Sequence, residues 1–288
     1  MAKSANSTAA VAAASPNVTS LVPKDDAALL AQMEQDADAG FEEANQDSFA
    51  IPFLVRLQDL SPQVKPKMAG FIAGAKPGMI LQSVSQELFT ECRVIPCYFS
   101  QVFIEWTPRE TKGSQGLVAI HPAETPLAKQ IQRDDRNQPV LPNGNLLVDT
   151  RQHFVLLQRP NGLAEQALIS CSSTAIKHSR RWMSQMRAAS LYPMPDGRII
   201  KLPSFAWSYR LSTEEEANDQ GSWFAWHISD RERVTDLTTY NLAKAFNAQM
   251  RAGAVRVNYE ELNPSGGAAH AAGVDAPPGD LDDNELDA

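Results

Sequence analysis

Charge is distributed so unevenly along this chain that only its middle can be the folded part. Residues 1–48 carry a net charge of −6 and residues 260–288 a net charge of −8, while residues 49–259 carry +6, so the overall −8 hides a basic centre between two acidic ends. Segments dominated by like charge and small residues cannot bury enough apolar surface to offset the entropy of ordering them. The expected organisation is therefore a mobile acidic N-terminal arm (1–48), a folded core (49–259) and a disordered acidic C-terminal tail (260–288). Within the first arm, Leu29, Leu30 and Met33 share a face over Ala27–Asp38 and predict a short acidic helix. A core of about 210 residues is long enough to bury a substantial interior.

No stretch of eighteen apolar residues occurs, which excludes a helical membrane span and a secretory segment. A soluble protein is expected. Cys92, Cys97 and Cys171 form an odd set without metal spacing, so buried thiols in a reducing compartment are expected rather than a disulfide framework.

From Met79 onward the pattern turns to β. Met79–Ser83, Arg93–Pro96, Tyr98–Trp106 and Leu117–Ile120 are rich in β-branched and aromatic residues separated by turn formers. Alternation along Tyr98–Trp106 places Tyr98, Ser100, Val102, Ile104 and Trp106 on one face and Phe99, Gln101, Phe103 and Glu105 on the other. Both faces hold aromatics, so one set should fill the core and leave the other for stacking. Residues 122–145 predict a long polar loop, Leu146–Gln158 and Gln166–Cys171 a hairpin about Pro160-Asn-Gly162. Two later β segments, Ile199–Leu211 and Ser222–Ser229, flank an acidic stretch from Thr213 to Gly221 that predicts a hairpin tip. A last amphipathic helix runs from Leu237 to Ala252, with Gly253 placed to end it. The whole reads as mainly β with added helices, an α+β fold around a barrel or meander.

Between the β regions, Ser172-Ser-Thr174 predicts the start of a helix reaching about Ala189. Along it Lys177, Arg180, Arg181 and Arg187 recur at helical spacing opposite Ile176, Met183 and Met186. A basic stripe with no local acid repels itself unless an anion lies against it.

Signatures of nucleotide cradles, zinc proteases, serine hydrolases and calcium loops are all missing. His121, His153, His178, His227 and His270 are scattered and read as core or surface residues. Asp134-Asp135 sits between Arg133 and Arg136 in a solvated stretch and is set aside as a magnesium site. No enzyme, cofactor or metal is expected.

Binding to single-stranded nucleic acid needs cations that follow phosphates and flat rings on which any base can stack. The middle region offers both. The candidate contacts are Lys177, Arg180, Arg181 and Arg187, the Arg109/Lys112 loop, and the rings of Tyr98, Trp106, Trp182 and Trp207. Lys65, Lys67, Lys76, Arg133, Arg136, Arg198 and Lys201 add to the positive charge.

At Ala50-Ile-Pro-Phe-Leu54, Ala75-Lys-Pro-Gly-Met-Ile80, Val94-Ile-Pro-Cys-Tyr-Phe99, Phe103-Ile-Glu-Trp-Thr-Pro-Arg109, Leu141-Pro-Asn-Gly144, Ser170–Trp182 and Asn218–Phe224, the chain resembles tailed-phage single-stranded DNA-binding proteins of the replication type. The resemblance covers roughly residues 49 to 255. It implies an OB-fold-like, partly open β-barrel and binding of exposed single strands during phage replication and recombination in the host cytoplasm. It also implies an acidic C-terminal tail that recruits replication proteins such as polymerase or helicase-primase. Here that tail would comprise Asp280, Leu281, Asp282, Asp283, Glu285, Leu286 and Asp287, competing with DNA for the groove. A strand-annealing recombinase and a virion or scaffold interaction protein are the alternatives, and homo-oligomerisation is left open.

Overall fold

The computed structural model describes residues 24–37, 39–44, 48–108, 116–135, 137–219, 221–253, 255, 257 and 259. Residues Met1–Asn45 and Gln46–Ala288 form two compact units. The first contains helix α1 (Lys24–Gln35), which starts three residues before the predicted helix and exposes Leu29, Leu30 and Met33.

The second unit opens with β1 (Leu54–Arg56), β2 (Ile80–Gln82) and β3 (Leu88–Phe89), a small antiparallel sheet. There follow β4 (Cys92–Trp106), β5 (Leu117–Pro122), β6 (Gln132–Arg133), β7 (Pro139–Val140), β8 (Leu146–Gln158) and β9 (Ala164–Ser172). Helix α2 (Ile176–Ala189), the hairpin β10 (Leu191–Pro193) and β11 (Ile199–Lys201), the long strands β12 (Trp207–Asn218) and β13 (Gly221–Arg233), and helix α3 (Leu237–Arg251) complete it. Eight strands make one antiparallel sheet in the order β13-β12-β4-β8-β7-β6, with β5 beside β4 and β9 beside β8. The sheet curls into a half-barrel, and the fold is mainly β with three α-helices among the described residues.

Both faces of this sheet are buried, which is why its central strands are apolar on alternate and on adjacent positions alike. On one side Val94, Val155, Leu157, Ala167, Ile169 and Leu211 pack with Trp182, Met186 and Ala189 of α2. On the other Ile95, Phe154, Leu156 and Leu168 pack with Ala243, Phe246 and Met250 of α3 and with Phe53 and Tyr259. The sheet is thus sandwiched between α2 and α3.

Strand β4 changes sides part-way. Pro96 pairs with Val155 and Tyr98 with Phe154, so Cys97 has no partner across the strand and forms a bulge. Cys92 and Val94 before it face the α2 side, whereas Tyr98, Val102, Ile104 and Trp106 after it face the α3 side. The segments expected at Arg93–Pro96 and Tyr98–Trp106 are therefore one continuous strand with the bulge at their junction.

Other boundaries differ for equally local reasons. Ile199–Leu211 is broken by a 3-10 turn at Ser204–Ala206. The acidic stretch from Thr213 holds the hairpin's turn only at its end, between Asn218 and Gly221; through Asn218 it is ordered strand, paired residue by residue with β13. The 122–145 segment is irregular apart from a 3-10 turn at Pro126–Gln130 and the two-residue strands β6 and β7. Helix α2 is preceded by a 3-10 turn at Ser173–Ala175, and no hydroxyl side chain caps either element. Helix α3 matches its expectation: the Thr239 N–H donates to the Asp236 carboxylate at 2.6 Å, and Gly253 takes φ +68° just past the end.

Candidate nucleic-acid interface

Helix α2 turns Ser179, Trp182, Met186 and Ala189 into the core, which by helical periodicity leaves Lys177, Arg180, Arg181 and Arg187 outward and exposed. Arg180, Arg181 and Arg187 have no ion-pair partner among the described residues. Lys177 does have one. Its Nζ lies 2.9 Å from Glu216 of β12, whose carboxylate also sits 3.3 Å from His178 Nε2. The stripe is therefore not wholly free of acids; the partner comes from a strand that sequence reading had left in a loop.

Burial works against ionisation of Glu216, yet the hydrogen bond from Lys177 and the nearby His178 hold its carboxyl below the usual range. For His178 burial prevails and its pKa falls. A cleft between α2 and the β12–β13 ribbon is lined by His178, Arg181, Gln185, Glu214, Glu216 and His227, with His227 Nδ1 2.7 Å from Glu214.

At the far end of α2 the Leu202 N–H donates to the Ser190 carbonyl at 2.7 Å and ties the β10–β11 hairpin to the helix. Here two rings and two cations meet. Tyr192 lies 6.1 Å from Trp207, the Arg231 guanidinium 4.7 Å from the Trp207 ring centre, and the Arg233 guanidinium 5.9 Å from that of Tyr192. Alternation along β13 puts Arg231 and Arg233 on one face and sends Glu232 to the other, where it pairs with Arg93 at 3.1 Å. Arg231 and Arg233 are exposed and have no ion-pair partner among the described residues. Sequence reading missed both; their signal was the Arg-x-Arg alternation at the end of a strand.

The remaining ring candidates need correcting. Trp182 is 1 % exposed and lies 4.7 Å from His153 and 5.7 Å from Tyr209, and Trp106 is 6 % exposed and meets Tyr259 edge-on at 6.5 Å. Neither offers a face to a base in this conformation. Tyr98 is half-buried, packed 6.0 Å from Phe154 on the α3 side. Phe99 and Phe103 on the opposite face are half-buried as well, Phe99 with its ring centre 5.1 Å from that of His153. Trp207, 9 % exposed, is the one predicted ring placed beside unpaired cations. Arg109, Lys112 and the tail residues Asp280, Leu281, Asp282, Asp283, Glu285, Leu286 and Asp287 lie outside the described residues.

A polar cluster occupies the end of β4. The buried Glu105 carboxylate accepts from Asn145 Nδ2 at 2.6 Å and Asn143 Nδ2 at 3.1 Å, and contacts His121 Nε2 at 2.8 Å. Asn145 above all, with His121 and Asn143, holds its carboxyl below the usual range despite burial. Together with the two pairs in the cleft, this gives His121, His178 and His227 a carboxylate each, through tertiary pairings that no local spacing reveals. His153, 1 % exposed, contacts Ser179 Oγ at 2.8 Å instead. No group of three or more metal-ligating side chains occurs among the described residues. The three cysteines are buried, and burial pushes the Cys92 and Cys97 thiols up to about 12.

A family model described as Pam3 phage gp34-like protein matches residues 19–256. Neither the curated proteins nor the solved structures yield a match.

Proposed function

The chain belongs to the Pam3 phage gp34-like family, and on that premise we propose that it is a non-enzymatic, sequence-tolerant single-stranded DNA-binding protein acting in phage replication or recombination. The observation that carries this reading is the run of exposed arginines on α2 without ion-pair partners among the described residues, continued at its end by Arg231 and Arg233 over the rings of Trp207 and Tyr192. Cations that lack carboxylate partners are available to phosphates, and binding them releases condensed counterions. Of the rings beside those cations, the partly exposed Tyr192 can take up a stacked base, whereas Trp207 is buried and covered by Arg231.

In this reading the curled sheet serves as an OB-type, partly open barrel, and phosphates follow Arg180, Arg181 and Arg187 toward Lys201. The acidic residues 274–288 compete with DNA and recruit replication proteins in the host cytoplasm. The test is a gel shift of the full chain with single- and double-stranded oligonucleotides of equal length at several salt concentrations. Preferential, salt-sensitive retention of the single strand is expected; equal or absent retention of both would sink the reading. Removal of residues 274–288 should raise affinity, and unchanged affinity would reject the competition.

A further inference from the structure

Between Asp59 and Glu87 the chain has no acidic residue, and it spends most of that span in an ordered connection from β1 to β2 that carries Lys65, Lys67 and Lys76. A connection of this length within a compact domain is uncommon and is usually functional. It is held as a series of turns: Met68 N–H donates to the Lys65 carbonyl at 3.0 Å, Ala75 N–H to Ile72 at 3.1 Å, and Ile72 N–H reaches back to Gln63 at 3.0 Å. Its base is fixed to the β12–β13 ribbon, where the Thr213 hydroxyl donates to the Gly78 carbonyl and the Phe224 ring packs against Gly78. The outer part holds three exposed lysines without ion-pair partners among the described residues, together with Phe71, 42 % exposed, and Met68, 53 % exposed.

This loop and Lys177 of α2 engage different side chains of the ribbon. Glu216, which binds Lys177, pairs across the ribbon with Trp223, whereas Phe224, which packs on Gly78, pairs with Glu215. Side chains at 216 and 224 therefore point to opposite faces. Lys65, Lys67 and Lys76 with Phe71 thus make a cationic, ring-bearing segment without acidic residues of its own, on an element other than α2. We propose that the Lys65–Lys76 loop is a second contact for single-stranded DNA, engaged only by strands long enough to pass beyond the α2 surface. This rests on the single-strand reading above. Phosphates meet the lysines, and a base stacks on Phe71.

The experiment is a fluorescence titration of the full chain and of its Lys65→Ala/Lys67→Ala/Lys76→Ala variant with oligonucleotides of increasing length. The substituted side chains are exposed, so an unchanged melting midpoint serves as the control for folding. Expected is wild-type affinity that rises with length, and a variant that matches it on short strands. On long strands the variant should lose about tenfold in affinity, with a salt slope shallower by about 2, from three lost phosphate contacts. Phe71→Leu should weaken long strands alone by roughly tenfold, from one lost stacking contact. Equal binding by variant and wild type at every length overturns the second contact while leaving the single-strand reading intact. A uniform loss at all lengths overturns it too, since the loop would then belong to the first surface. Failure of the wild type to bind any single strand overturns both.

Discussion

The guanidinium carbon of Arg231 lies 4.7 Å from the centre of the Trp207 ring, so the cation covers a ring that the core leaves 9 % exposed. Such a contact at an exposed site contributes about 0.5–1 kcal/mol. Arg231→Ala is expected to lower stability by that amount in urea titration and to make Trp207 fluorescence more accessible to acrylamide. Unchanged quenching would show that the guanidinium does not shield the ring.

His153 is wholly enclosed, and burial first, with Arg151 nearby second, lowers its pKa from 6.5 to about 3. The folded protein prefers the neutral ring, so below 6.5 the unfolded chain binds the extra proton. The stability this residue contributes is complete above 6.5 and lost as pH falls toward 3. Between pH 6.5 and 5 the loss should reach about 2 kcal/mol. Urea titrations at both pH values check this; the His153→Gln variant should show the shallower decline.

Asn145 donates to the buried Glu105 at 2.6 Å. Asn145→Ala removes a hydrogen bond to a charged group and should cost about 1.5–3 kcal/mol. Because the Glu105 pKa is lowered in the fold, its contribution is present above the ordinary carboxylate value and lost as pH falls through the folded value. The cost of the substitution should accordingly shrink in acid, as denaturation at pH 7 and near pH 3 would reveal.

Gly78 has φ +81°, and a Cβ there would stand 2.7 Å from the Phe224 ring. Gly78→Ala combines backbone strain with overpacking and should destabilise by about 1–3 kcal/mol. Pairing it with Phe224→Leu should recover part of the loss; purely additive effects would locate the cost in the backbone alone.

Much of the fold was legible because its signals are local. Alternation along Tyr98–Trp106 gave the two faces, the turn at Asn161-Gly162 gave the β8–β9 hairpin, and Asp236 and Gly253 bracket α3. What could not be read is which aromatic face is interior, since both sides of the sheet are covered and Tyr98 and Phe99 look alike as isolated residues. Strand β12 was hidden by Glu214, Glu215 and Glu216, which are disfavoured in strands and remain at the surface or pair with α2. The α2 arginines were visible from helical spacing. The company of Arg231 and Arg233 with Trp207 and Tyr192 was not, because it arises from a strand end meeting a distant hairpin.

The unpaired Cys97 acts on β4 as a single inserted letter acts on a reading frame. Deleting it would leave Pro96 opposite Val155 and Tyr98 opposite Phe154 on the sides they now occupy, whereas deleting one regularly paired residue between Tyr98 and Trp106 would carry the residues beyond it to the other side of the sheet. Relatives of this chain should therefore vary freely in length across residues 122–145 and hold the residue count from Tyr98 to Trp106 constant, while position 97 can be lost together with the bulge.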